Sequence, residues 1–199
     1  ENARLCRLLK AQHAVGASIQ RFEKGRLTEC FAAGNARMET DVQPVTAETI
    51  FRTASIAKMV TALLVFRLQT LGKLNVCEEL SAFLDESVQN PHYPEAPITL
   101  GMLLNHTSSI VDSPAYFASF QQPVPLMNLL RNPASYSASL PGLQFRYSNF
   151  AAGLIGCLLE KRFHQSFEQL AQENLFQPLG VQATFDLSTL KGKPVADSW

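Results

Sequence analysis

The stretch FRTASIAKMVTALLVF, from Phe51 to Phe66, limits the possible folds of this chain more than any other. It reads as a helix running from Ser55 to Leu71, with Gly72 at the C′ position as its stop. Ile56, Met59, Val60, Leu63, Leu64, Val65, Phe66 and Leu68 leave it apolar on nearly every side, which places such a helix inside a core. A chain of 199 residues, 46% of them hydrophobic, can build that core as one globular unit, alone or with a subdomain.

One charge interrupts this helix. Lys58 lies three residues after Ser55, so the two side chains share a helix face. A lysine enclosed in apolar surroundings loses its preference for the charged form and becomes a base usable near neutral pH. Ser55 then reads as a nucleophile. Its place at the helix start adds a backbone N–H and the positive end of the dipole, both suited to an oxyanion. The S-x-x-K spacing arises by chance about once in a chain of this size. A second copy, Ser188 to Lys191, lies in a polar tail where a solvated lysine needs no explanation. The apolar helix around Lys58 separates the two.

Composition removes several classes of function. Seventeen basic and seventeen acidic residues balance, and no Lys/Arg cluster follows a phosphate backbone or an anionic bilayer, so neither nucleic acid nor a membrane surface is an expected partner. The longest apolar run, Phe150 to Leu159, is well short of the roughly 20 residues of a transmembrane helix. Cys6, Cys30, Cys77 and Cys157 form no C-x-x-C pair and are expected to be isolated thiols filling apolar space. His13, His92 and His164 show no metal spacing, so no metal and no other cofactor is expected.

Along the chain, ARLCRLLKAQHAV predicts a short amphipathic helix. GASIQRFEKGRLTECFAAG predicts a hairpin around Glu23–Arg26, with Gly25 at positive φ. A polar connection containing Pro44 follows. Thr99 is a predicted N-cap for a short helix, and Ser108 to Gly142 reads as a long surface excursion with one helical piece near PLMNLLRN. Further helices are predicted from about Ser148 and over SFEQLAQENLF, the latter stopped by QPLG. The expected organisation is a helix and hairpin over residues 1–53 and a mainly helical part over 54–199. The fold class is α+β.

At the mouth of the helix beginning near Ser148, QFRYSNF places Tyr147 and Asn149 two residues apart. A tyrosine beside an ammonium and a helix N-terminus loses its proton more easily, and an asparagine amide both donates and accepts. A serine–lysine pair works better with such partners. Tyr-x-Asn alone is better read as a core tyrosine beside a capping asparagine.

The order of these blocks, from GASIQRFEKGRLTECFAAGNA through FRTASIAKM, ITLGMLLNHTSSI and FRYSNFAAGLIG to SFEQLAQENLFQPLG, resembles a known family over about residues 14 to 189. That family comprises the class C beta-lactamases, the related D-alanyl-D-alanine carboxypeptidases, and esterases on the same scaffold. The resemblance implies a beta-lactamase/transpeptidase-like fold, a helical region with part of an antiparallel sheet. It implies that Ser55 accepts the acyl group, Lys58 is its proton partner, Tyr147 is general base and later acid, and Asn149 contacts substrate and lysine. His106, in NHTS, is expected to be structural. The implied substrate is a small lactam or ester, or a peptidoglycan peptide, in a bacterial periplasmic or secreted setting.

Two departures accompany the likeness. The family's third motif, Lys-Thr-Gly or His-x-Gly on a later strand, has no counterpart, since LKGKPVADSW does not match it. The C-terminal sheet strands are therefore expected to be missing, leaving a two-stranded remnant whose bare edge calls for self-association or a complementary C-terminal segment, unless the fold is incomplete. Ser109 stands where the pattern has glycine, which disfavours a positive φ there. Two functional expectations follow. One is a serine hydrolase forming an acyl-enzyme on an amide, lactam or ester carbonyl; the other is a non-catalytic member serving as a binding or assembly module.

Overall fold

The computed structural model describes residues 2–38 and 42–197. Two compact units emerge, Glu1–Ala54 with Asp186–Trp199, and Ser55–Phe185.

In the first unit, α1 (Asn2–Ala11) precedes an antiparallel hairpin of β1 (Gly16–Glu23) and β2 (Arg26–Arg37). Lys24 and Gly25, at φ 49° and 76°, form the predicted turn. Gly34 is required for a second reason: a Cβ there would lie 2.2 Å from the Val15 carbonyl oxygen. The connection containing Pro44 contributes β3 (Gln43–Pro44), so the sheet has three strands in the order β1-β2-β3 rather than the expected two. Part of that connection, residues 39–41, lies outside the described residues. The tail returns to this unit. Ile50 N–H donates to the Pro194 carbonyl at 2.8 Å, and Asp197 N–H to that of Ala36 at 2.8 Å.

The second unit is helical. The predicted long helix becomes a 3₁₀ turn, Ala54–Ile56, followed by α2 (Ala57–Thr70). Gly72 at φ 68° lets Lys73 N–H reach back to the Leu68 carbonyl at 3.0 Å, closing the helix as expected. Then come α3 (Leu100–Leu104), α4 (Pro114–Ala118), α5 (Leu126–Leu130) and α6 (Asn149–Phe163). Finally α7 (Phe167–Ala171) runs through a π-helical turn, Gln172–Phe176, into α8 (Gln177–Leu179), and Gly180 at φ 63° ends it. The cap residues do local work: the Thr99, Ser113, Ser148 and Ser166 hydroxyls each accept an N–H from the first turn of α3, α4, α6 and α7. The core interleaves Leu64, Val65 and Leu68 of α2 with Leu154, Leu158 and Leu159 of α6, Leu100 and Leu103 of α3, and Leu170 of α7.

Several expectations need correction. The helix α2 is not enclosed on all sides: Ile56 and Met59 are 62% and 60% exposed, and Leu63 and Phe66 follow on the same stripe. Apolar composition gives the affinity for a core, whereas burial needs something packed on each face. The stretch from Ser108 to Gly142 is no surface excursion. It holds α4 and α5, and Ser108, Ser109, Ile110, Ser113, Ser135, Tyr136 and Ser137 are buried. Asn90 makes this tolerable, its Nδ2 donating to Ser109 Oγ at 2.9 Å and to the Ser137 carbonyl at 2.8 Å. Ser109 does adopt a positive φ, 65°, despite its Cβ. The cost, on the order of 1 kcal/mol, is offset by the Asn90 bond and by Ser137 N–H donating to the Ser109 carbonyl at 2.8 Å. The four cysteines are free but exposed instead of filling apolar space. Cys157 shows why: the buried residues of α6 flank it in sequence and leave position 157 on the outer face.

Adjacent leucines of α2 test this division. Leu64 is fully buried and Leu63 is 49% exposed. Leu64→Ala is expected to destabilise the helical unit by about 3 kcal/mol and Leu63→Ala by less than about 1 kcal/mol, read as urea midpoints by circular dichroism. Equal losses would contradict the one-sided burial of α2.

Candidate active site

All four residues singled out from the sequence lie in the helical unit and converge. Ser55 sits in the 3₁₀ turn leading into α2, and Lys58 is one turn on, near the start of that helix. Tyr147 and Asn149 flank Ser148, the N-cap of α6, whose extended backbone throws its neighbours to one side. The Ser55 hydroxyl and the Tyr147 phenol oxygen are 2.9 Å apart. The Lys58 ammonium donates to Ser55 Oγ at 3.4 Å and to Asn149 Oδ1 at 2.9 Å, and lies 4.9 Å from the centre of the Tyr147 ring. The Tyr147 hydroxyl also reaches Asn149 Oδ1 at 3.4 Å. Lys58 is half-buried, not sealed in the core as the apolar helix suggested.

A ladder of backbone bonds explains why the tyrosine arrives here. After α3 the chain turns at His106, in the left-handed region at φ 59°. The His106 carbonyl accepts Arg146 N–H at 2.7 Å, and the Thr107 carbonyl accepts Gly142 N–H at 2.8 Å. His106 Nδ1 in turn accepts the N–H of Ser148 at 3.3 Å, while its ring packs on Tyr147 with centroids 4.7 Å apart and on Phe145 at 5.8 Å. The histidine thus buttresses the tyrosine from behind.

Asp112 is the residue that the sequence reading missed. Its Oδ1 accepts from Ser148 Oγ and Phe150 N–H, each at 2.8 Å; its Oδ2 accepts from Asn149 N–H at 3.1 Å and Asn149 Nδ2 at 2.9 Å. A signal was available, since Asp112 is the one carboxylate between Glu95 and Glu160.

The electrostatics follow from these contacts. The Lys58 ammonium, and after it the Ser55 hydroxyl, lower the Tyr147 pKa below the ordinary phenol value, with partial burial and the Asp112 charge opposing. For Asp112, burial works to raise the pKa, but the donors from Phe150, Ser148 and Asn149 outweigh it and the net shift is downward. Burial, and then the Lys58 charge, lower the His106 pKa and hold the imidazole neutral, as its acceptor role toward Ser148 requires. The second S-x-x-K copy shows no such gathering: Ser188 is turned back onto Asp186, its N–H and Oγ both bonding that carboxylate at 2.8 Å. Among the described residues no three His, Cys, Asp or Glu side chains gather as a metal site, and no helix is long and apolar enough to cross a membrane.

With fold and site in view, the chain belongs to the beta-lactamase family, which residues 2–192 match. Penicillin-binding protein 4* of Bacillus subtilis (strain 168) is 26% identical over 182 residues, covering 88% of this chain and 39% of the relative. The D-alanyl-D-alanine-carboxypeptidase/endopeptidase AmpH of Escherichia coli (strain K12) is 28% identical over 155 residues, 76% of this chain and 40% of AmpH. Among solved structures, the octameric penicillin-binding protein homologue from Pyrococcus abyssi superimposes with a TM-score of 0.81 at 25% identity, over 98% of this chain and 46% of that one. The fold is accordingly of the beta-lactamase/transpeptidase type, and the chain spans less than half the length of these proteins.

The histidine buttress predicts a pH dependence. Because the folded-state pKa of His106 lies below its unfolded value, the unfolded chain binds the extra proton first. The stability that this residue contributes is full above about pH 6.5 and declines as pH falls below it. Melting temperatures of wild type and His106→Gln, compared from pH 7.5 to pH 5, should therefore draw together toward acid. A constant gap would show that the imidazole does not need to be neutral.

Proposed function

We propose that the chain carries the acyl-accepting half of a serine hydrolase, in which Ser55 attacks an amide, lactam or ester carbonyl to form an acyl-enzyme. The observation that carries this reading is the pair of contacts at one oxygen, Ser55 Oγ at 2.9 Å from the Tyr147 hydroxyl and 3.4 Å from the Lys58 ammonium. A serine alone is a poor nucleophile, and a phenol oxygen biased toward its ionised form by a neighbouring ammonium is a base within direct reach of the hydroxyl proton.

In the proposed sequence the Ser55 Oγ–carbon bond forms as the proton passes from Oγ to the Tyr147 oxygen. The carbon–nitrogen or carbon–oxygen bond to the leaving group then breaks, and Tyr147 returns the proton to that group. Lys58, in contact with Ser55 Oγ and beside the Tyr147 ring, stabilises negative charge on either oxygen. Water, activated by Tyr147, releases the acyl group by the reverse exchange. The names of the relatives, one for penicillin binding and one for D-alanyl-D-alanine carboxypeptidase action, support a lactam or a peptidoglycan stem peptide as substrate, in a periplasmic or secreted setting. The octameric state named for the Pyrococcus homologue supports self-association.

The test is the intact mass of the chain after separate incubation with a reactive lactam and a fluorophosphonate. A single adduct is expected on wild type, absent in Ser55→Ala and slowed on the order of a hundredfold in Tyr147→Phe. An adduct that survives in Ser55→Ala, or none on a folded wild-type chain, would leave the non-catalytic binding module as the function.

A further inference from the structure

We infer that Asp112 is a positioning residue for the serine site: it fixes the direction of the Asn149 amide, and through that amide it holds Lys58 against Ser55. The inference rests on the acyl-transfer reading for its functional meaning, and on geometry for its physical content.

The two ends of an asparagine amide have nearly the same shape, so sterics do not decide which end points where; the polarity of the neighbours does. Asn149 lies between a group that only accepts and a group that only donates. On one side its Nδ2 meets Asp112 Oδ2 at 2.9 Å, and on the other its Oδ1 meets the Lys58 ammonium at 2.9 Å. Reversing the amide would set oxygen against carboxylate and NH2 against ammonium, two repulsive contacts in place of two attractive ones. Without the carboxylate, one of those constraints disappears.

The carboxylate is itself well fixed. Ser148 Oγ and the N–H groups of Asn149 and Phe150 complete its hydrogen bonding. Its own segment is anchored from behind, where Val111 N–H donates to the Ser135 carbonyl at 2.9 Å and Ser113 begins α4 as an N-cap. Asp112 therefore ties three things into one arrangement: the buried serine-rich segment, the first turn of α6, and the amide facing Lys58. A consequence for the site is that the Asn149 acceptor, Oδ1, faces it and is shared by Lys58 at 2.9 Å and the Tyr147 hydroxyl at 3.4 Å. One N–H of Nδ2 is held by Asp112, which leaves the second N–H of the same amide as its remaining donor.

Exchanging acid and amide tests this. In Asp112→Asn one acceptor oxygen is left for the four donors; held by Ser148 Oγ and Phe150 N–H, it sets the new NH2 against that of Asn149, so Asn149 turns and Lys58 loses its acceptor. In the double variant Asp112→Asn/Asn149→Asp, the carboxylate at 149 accepts from the amide at 112 and from Lys58 together. Both variants lose the same carboxylate cap on the α6 backbone, so their melting temperatures should fall alike. Ser55 acylation by a fluorophosphonate should fall tenfold or more in the single variant, an order-of-magnitude expectation for a misplaced group, and recover most of that loss in the double. A helix-capping role alone would give equal acylation rates in the two variants, which would overturn the inference, as would wild-type acylation in Asp112→Asn.

A second readout needs no activity. In ¹⁵N-labelled wild type, the Asn149 side-chain NH2, assigned by its disappearance in Asn149→Asp, should exchange slowly with solvent, and Asp112→Asn should remove that protection. Protection lost with no acylation of wild type would refute the acyl-transfer reading and keep the positioning role. Unaltered protection beside active wild type would do the reverse.

Discussion

The packing of α2 against α6 is the contact on which the rest of this molecule depends. Leu64, Val65 and Leu68 from one helix and Leu154, Leu158 and Leu159 from the other share a single buried cluster. Each helix brings its polar residues at its N-terminal end, Ser55 and Lys58 ahead of α2 and in its first turn, Tyr147 and Asn149 on either side of the α6 cap. Once the leucines have fixed the two axes, the starts of the helices are fixed as well. The apolar core thereby acts as the ruler for a set of contacts between 2.9 and 3.4 Å. Close-packed interiors deform little, and this is the property that a proton-transfer geometry needs.

The site that results is economical in charge. One ammonium and one carboxylate stand on opposite sides of a neutral amide, with the serine and tyrosine hydroxyls on the ammonium side. The ammonium favours negative charge on either hydroxyl, while the carboxylate lies behind the amide and opposes it only weakly, as the ordering of influences on Tyr147 shows. A neutral His106 completes the back wall without adding a competing charge.

Much of this was legible in the sequence where the signal is local. The hairpin turn at Lys24–Gly25, the Thr99 cap, the helix start near Ser148 and the Gly72 stop depend on neighbours within four residues, and these were read correctly. Long-range dependences were not. Asp112 is 36 residues from the Ser148 hydroxyl that it binds, and no periodicity links them. The Ser108–Gly142 stretch resembled a loop because serine and proline usually mark one, yet its buried Ser109 hydroxyl and Ser137 carbonyl are bound by Asn90, far upstream. The exposure of Ile56, Met59, Leu63 and Phe66 was hidden for a related reason: a sequence records the preference of a side chain for apolar surroundings, not whether a neighbour provides them.

Helix ends ordinarily fray, and the first turn of α6 has a specific restraint against doing so. The carboxylate that receives its leading N–H groups also receives the Asn149 side chain, and the Ser148 hydroxyl is bound at both ends, donating to Asp112 and accepting from Ala151 N–H. Opening that turn therefore breaks the whole group of bonds together, including the one that orients the amide toward Lys58. Local opening and loss of the site are the same event, so heat should dismantle the site through the cooperative unit that contains α6 instead of through progressive loosening of a flexible rim.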